Sequence, residues 1–240
     1  MRIKETAKFF WDIFRYESGL KKRPNTTWIQ TFTHWFDVYR PDPKNVRLVD
    51  IARSLSNQCR YNGHILKFYS VAEHSVLLSQ AVNPVFAYQA LIHDFGEAYI
   101  SDIARPIKLF LFQFLRLEKA IDKVVFGVCG IDEIPKHVRD YDFRILIDES
   151  EQLMMPCSRE WGFGDKKRLD VYCECWNPDE AMQNLLERFV DLASRNSILF
   201  EHKEFFTGIE NYVDARIEEL CLPGLEDRYV VVRNKRKEAA

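Results

Sequence analysis

The 240-residue chain has no Cys-x-x-Cys pair, no uninterrupted apolar run near twenty residues, no excess of either charge, and little glycine or proline. Each absence removes a class of protein. Six cysteines are scattered along the chain and the nearest two are Cys173 and Cys175, so a zinc knuckle has no sequence support. Cys173-x-Cys175 has no His or Cys neighbour in the chain to complete a metal site. A bilayer-spanning helix takes about 20 apolar residues, and the opening MRIKETAKFFWDIFRYESGLKKR lacks the unbroken apolar core of a signal peptide. The expectation is therefore a chain with reduced thiols and no membrane partner, located in the cytoplasm, or in the host cytoplasm if phage-encoded. Lysine and arginine number 34 against 36 acidic residues, a formal net charge of -2, so no nucleic-acid polymer is expected as a partner. The basic end RNKRKEAA reads as a solvated tail.

What is present is apolar and aromatic material, 47% and 14% of the residues, enough for a sizeable core. Its spacing is mostly helical. Residues 5–17 put Phe9, Phe10, Ile13 and Phe14 on one side, and Leu48, Ile51, Ala52 and Leu55 recur at helical intervals. Ser70-Val-Ala-Glu73 fits a capping box, in which Ser and Glu satisfy each other's backbone N–H groups. Asn83-Pro84 and Asn177-Pro178 each open a helix, the first running through VNPVFAYQALIHDFGEAYI. After Pro106 a stripe of Phe110, Phe114, Leu117, Ile121 and Val124 runs towards Gly130, an expected core or subunit contact. YDFRILIDESEQLM forms another helix, WGFGDKKR a loop, and TWIQTFTHWFDVYRPDP a short strand pair or extended segment. The last forty residues hold a helix-like GIENYVDARIEELC and a β-like YVVVR. The expected fold is all-α: an extension over 1–30, a helical bundle over 31–196 and a second extension over 197–240.

Ionisable groups inside these helices raise the question of chemistry, because they are costly in an apolar interior unless paired or bound to a metal. His74 shares its helix face with Val71, Ser75 and Leu78; alone, it reads as a core histidine satisfied by one hydrogen bond. His93 and Asp94 are adjacent, and neighbours on a helix diverge by roughly 100°, so they share a target only in a cleft between helices. Glu97 lies i+4 from His93 and i+3 from Asp94; alone, it reads as a solvated carboxylate. Asp148 stands on a later helix with Tyr141, Ile145 and Gln152, and Asp142, Glu149 and Glu151 are nearby. Taken together, His74, His93, Asp94 and Asp148 make a nitrogen and oxygen shell for a divalent ion, whether zinc, iron, manganese, cobalt or magnesium. Such a shell leaves positions open for water, which a bound metal turns into a nucleophile near neutral pH.

The order EHS … HDFGEAYISDIARPIK … LIDESE resembles the HD-domain metal-dependent phosphohydrolases, in particular the branch holding the bacterial 5'-deoxynucleotidases and the phage deoxynucleoside triphosphohydrolases. The lead-in DIARSLSNQCRYNGHILKFYSVAEHS and the closing WNPDEAMQNLLERF resemble the same branch, so the likeness covers about residues 35–195. It implies an HD-domain helical bundle around a metal held by His74, His93, Asp94 and Asp148. It also implies that Glu97 activates or orients the attacking water, that Asp102 stands near the reacting phosphate, and that Arg60 and Lys108 hold phosphate. The activity implied is hydrolysis of a deoxynucleotide, preferably a purine deoxynucleoside triphosphate such as dATP, because CRYNGH is nearest the triphosphate-cleaving members. The alternatives are a 5'-deoxynucleotidase and, in another class, a nucleotide-sensing regulator on the same fold. Relatives of this kind are homo-oligomers, so a dimer or hexamer is expected. Trp35, Phe36 and Tyr61 are candidates either to stack on the base or to pack core or lid. His64 is a candidate phosphate or metal partner, although a turn histidine is more often simply exposed, and Arg105 reads equally as a phosphate contact or a helix-end surface charge. The chain departs from the branch at Asn62, where a glycine is usual, and at Phe95-Gly96, and both departures bear on base specificity.

Overall fold

A computed structural model describes Trp11 and residues 27–196, 198 and 200–208. The expected helix over 5–17 and the helix-like and β-like stretches beyond Gly208 lie outside the described residues, as does most of both expected extensions. Helices dominate the rest, in keeping with an all-α class: α1 (Leu48–Asn57), α2 (Val71–Ala81), α3 (Ala87–Ile92), α4 (Glu97–Ile100), α5 (Arg105–Lys108), α6 (Phe112–Val128), α7 (Lys136–Leu153) and α8 (Pro178–Arg195). Among the described residues the one sheet is the antiparallel hairpin of β1 (Trp28–Gln30) and β2 (Trp35–Asp37), which pairs Trp28 with Asp37 and Gln30 with Trp35.

α2 lies at the centre. Every residue from Val71 to Ser79 is buried, the pattern of a helix covered on all sides. α1, α3 and α8 pack around it. α8 starts where Asn177 and Glu180 satisfy each other's backbone N–H groups, with Pro178 as the first helical residue. It then buries Ala181, Leu185, Leu186, Phe189 and Val190. Phe189 meets the rings of Tyr88, Phe95, Phe200 and Phe205, and burying each such side chain contributes about 1.5–3 kcal/mol. The described part of the C-terminal flank joins this core, whereas Trp28, Ile29 and Gln30 of β1 stay exposed. Phe205 and Phe206 are buried in the core, and Asp50 of α1 accepts hydrogen bonds from Thr31 and Thr33 beside the hairpin.

Three local expectations are corrected. Ser70 does cap α2, accepting the Glu73 N–H at 3.0 Å, but the Glu73 carboxylate turns away to accept the N–H groups of Cys175 and Trp176, each at 2.8 Å. The helix expected through VNPVFAYQALIHDFGEAYI is interrupted between Ile92 and Glu97, where Phe95 bonds back to Ile92 and Glu97 to Asp94, each at 3.0 Å. These three-residue bonds tighten the chain and re-aim the axis. The helix expected from Pro106 onwards is likewise split into α5 and α6, and its stripe divides: Ile121 is wholly buried while Phe110 is 82% exposed.

Candidate metal centre

α2, the interrupted turn after α3, and α7 bring His74, His93, Asp94 and Asp142 together. His74, His93 and Asp94 offer donor atoms that all lie within 4.8 Å of one another, a group that could hold a metal ion. His93 Nε2 is 3.1 Å from Asp94 Oδ2 and 3.7 Å from Asp142 Oδ1, and His74 Nε2 is 3.9 Å and 3.1 Å from the same two oxygens. Ligands about 2.1 Å from a shared ion stand about 3.0–3.4 Å apart, depending on octahedral or tetrahedral geometry, so these separations suit an ion at the centre.

The hydrogen bonds on the far sides of the rings decide what the near sides offer. His93 Nδ1 is 2.8 Å from the Ala90 carbonyl oxygen. A carbonyl only accepts, so Nδ1 carries the proton and Nε2 a lone pair. That buried Nε2 has no hydrogen-bond partner: Asp94 is close but not in a bonding direction. His74 Nδ1 is 2.6 Å from Glu149 Oε1 and must likewise donate, which turns its Nε2 towards Asp142. A carboxylate or carbonyl behind an imidazole whose other nitrogen faces a shared centre is the usual arrangement around a metal-bound histidine. Without a cation, the centre must instead hold protons. Burial opposes a charge on His93, but Asp94 and Asp142 outweigh it and push the imidazole well above its ordinary pKa. Burial and Arg60 oppose a charge on His74, and Glu149 and Asp142 again prevail. A divalent ion bound there would replace those protons and offset the carboxylates together.

Glu149 is the support behind this centre. Burial raises its pKa, yet Arg60 and then His74 bring the carboxyl down to about 2. It accepts from Tyr69 at 2.9 Å and from the Tyr61 hydroxyl, and Arg60 lies 3.4 Å away. Arg60 also reaches Asp94 at 3.8 Å. Tyr61 and Asn62 hold φ of 58° and 53°, a left-handed backbone that costs of order 1 kcal/mol or more per residue. The Arg60 guanidinium stands over the Tyr61 ring, 5.3 Å from its centroid.

Asp148 is a correction. Although wholly buried, it accepts the Leu169 N–H at 2.7 Å and faces Arg168 Nε at 3.2 Å, away from the imidazoles. The reason is helical phase: Asp148 is roughly 120° round α7 from Asp142, while Glu149 is only roughly 20° from it. Asp142 and Glu149 share the face that meets His74, and their seven-residue spacing was the available signal for both.

Glu97 is buried. Its Oε1 takes the Lys108 ammonium at 2.9 Å, and its Oε2 has no hydrogen-bond partner. Burial, then the charges of Asp94 and Asp102, push its carboxyl well above the ordinary range. Asp102 is held through its backbone N–H by Gln58 at 2.9 Å. Gly96 makes room beside it, since a Cβ there would collide with the Asp122 carboxylate of α6. Lys108 is also paired with Glu118 at 2.7 Å. Arg60 and Lys108, the expected phosphate holders, thus already have carboxylate partners. Trp35 stands exposed on β2 with its ring against His34, His64 is exposed, and Phe36 is buried in a stack with Tyr99.

No protein-family model matches the sequence. The uncharacterized protein YfdR of Escherichia coli (strain K12) is 35% identical over 175 residues, covering 70% of this chain and 96% of YfdR. The chain belongs to the YfdR family. Among the described residues no helix is long and apolar enough to cross a membrane.

Proposed function

We propose that this member of the YfdR family is a metal-dependent phosphohydrolase that uses water to cleave a phosphate ester or anhydride of a deoxynucleotide. One observation carries the reading: two buried imidazoles have their Nδ1–H groups committed elsewhere and direct Nε2 towards carboxylate oxygens of Asp94 and Asp142. His74, His93, Asp94 and Asp142 would hold the ion. A divalent cation bound there supplies Lewis acidity towards a phosphoryl oxygen and makes water nucleophilic near neutral pH.

The chain's own groups do the rest. Glu97 Oε2, buried and uncommitted, takes the proton from the attacking water, while Lys108 fixes the other oxygen of the same carboxylate. Asp102 adds negative charge beside Glu97 and so raises its proton affinity. Arg60 bridges Asp94 and Glu149 and keeps both carboxylates in place. The resemblance of EHS … HDFGEAYISDIARPIK to the HD-domain phosphohydrolases supports phosphorus as the electrophile, and that of CRYNGH favours a purine deoxynucleoside triphosphate such as dATP.

The test is elemental analysis of the purified protein, together with product analysis on deoxynucleoside mono- and triphosphates supplied with manganese, cobalt, zinc or magnesium. Tripolyphosphate from dATP is the expected product; orthophosphate from a monophosphate would make the protein a 5'-deoxynucleotidase. Nucleotide binding with no turnover of any member of the panel overturns the enzyme reading in favour of a sensor.

A further inference from the structure

Between α7 and α8, residues 154–177 form no helix or strand. Irregular segments of that length in a compact domain are uncommon and usually serve binding or catalysis. Its second half is tied down. Asp148 holds Arg168 and Leu169, Arg144 Nε donates to the Lys167 carbonyl at 2.8 Å, Gln152 accepts the Cys173 N–H at 3.0 Å, and Glu73 accepts those of Cys175 and Trp176. The buried carboxylates of Glu73 and Asp148 both serve this anchorage.

Ahead of the anchored stretch, Trp161 and Phe163 belong to a row of aromatic rings that begins at Tyr61. Tyr61 meets Trp161 edge-on at 6.0 Å between centroids. Trp161 and Phe163 lie nearly parallel, 12° apart in plane with centroids 5.9 Å apart. Phe163 meets Phe143 at 5.9 Å, and the Arg105 guanidinium stands 5.8 Å over Phe143. One end of the row is tied to the centre's framework, since the Tyr61 hydroxyl bonds Glu149, which holds His74; at the other end Phe143 follows Asp142 in the chain. Trp161 nevertheless remains 45% exposed. A large flat apolar ring kept in water beside a polar centre has a free face for a planar partner.

We propose that Trp161, backed by Phe163, is the surface on which the base of the substrate stacks. The proposal rests on the phosphohydrolase reading: with the phosphoryl group at the His74–His93–Asp94–Asp142 centre, the remainder of the nucleotide extends along this rim. Stacking of a base on an aromatic face tolerates any base, so Trp161 confers affinity for the nucleoside portion and little choice among bases.

The experiment compares dAMP with deoxyribose 5-phosphate and dATP with deoxyribose 5-triphosphate, pairs that differ only in the base. In the Trp161→Ala protein the kcat/KM ratio of nucleotide to base-free ester falls about tenfold or more, through a higher KM for the nucleotide, and Trp161→Phe recovers most of it. In parallel, the zinc-loaded Glu97→Gln protein is titrated with dATP. Its tryptophan fluorescence is quenched by dATP and not by deoxyribose 5-triphosphate, and the quench is lost when Trp161→Phe is added. Equal losses with and without the base, or no quench, overturn the stacking surface and leave the phosphohydrolase standing. A Trp161-dependent quench in a protein whose parent cleaves no phosphoester has the opposite meaning: the stacking surface holds and the phosphohydrolase reading falls.

Discussion

Asp142 and Asp148 stand six residues apart on α7, and the groups they meet have opposite requirements. Asp142 faces two imidazoles whose Nδ1–H groups are already committed, so in their neutral forms the nitrogens before it carry lone pairs. Asp148 faces the Leu169 N–H and the Arg168 guanidinium, which are donors. A carboxylate among donors is satisfied as it stands. A carboxylate among acceptors needs a proton or a cation between them, and the cost of an unmet buried group is what makes such an arrangement select an ion.

The largest expected effect breaks the comparison if it fails. Asp142→Ala removes one side of the centre, and the protein should lose bound metal on elemental analysis and at least about a hundredfold in tripolyphosphate release from dATP, more than the 10–100-fold typical of a supporting group. Asp148→Ala should keep one ion per chain. The reverse result, metal lost with Asp148 and kept without Asp142, would sink the assignment of the two carboxylates.

Glu149→Gln sharpens it. The amide keeps the shape but no longer enforces the Nδ1–H tautomer of His74 or balances Arg60. Metal affinity measured by isothermal titration should fall about 10–100-fold with the helical circular dichroism unchanged. An unaltered affinity would mean that the His74–Glu149 bond serves packing alone.

Asp148→Asn probes the other side. An amide can still accept one hydrogen bond, but its NH2 group then confronts the donors of Arg168 and Leu169. Denaturant unfolding should show a loss of about 1–3 kcal/mol, with metal content intact. A change in metal content without a change in stability would contradict the anchoring role.

Much of this was legible along the chain, for identifiable reasons. The stripe Leu48, Ile51, Ala52 and Leu55 and the Asn-Pro helix openings marked the helices, because those signals are local. His93 and Asp94 pointed to a centre only in company with His74 and the surrounding motif, because a bare His-Asp pair is a weak signal. Asp142 was passed over for Asp148, although its spacing to Glu149 marks a shared face; the phase of a helix decides such cases, and proximity in sequence does not. Glu73 looked like half of a capping box, and nothing local could reveal that its partners are the N–H groups of Cys175 and Trp176. The interruption at residues 93–96 also depends on distant packing, since α6 brings Asp122 against Gly96. Trp161 and Phe163 lie in a segment without periodicity, where pattern has nothing to report.

Asp122 itself supplies the smallest expected effect, and one that ties stability to the ion. Burial, then the Glu118 and Asp94 charges, push its carboxyl up to about 7, against the opposing influence of Lys108 and His93. In the unfolded chain an aspartate titrates near about 4, so between about 4 and 7 the native state holds a proton that the unfolded state has released. Stability therefore falls as pH rises through that window. In metal-stripped protein, Asp122→Asn should leave thermal unfolding unchanged at pH 4 and raise the midpoint by a few degrees at pH 8. Loading the ion should shrink that difference, because a cation beside Asp94 and His93 attracts the ionised carboxylate that the bare cluster repels. A gap that persists undiminished after loading would place the cation away from these residues, and the contrast between a cluster that waits for an ion and a carboxylate already satisfied would lose its physical basis.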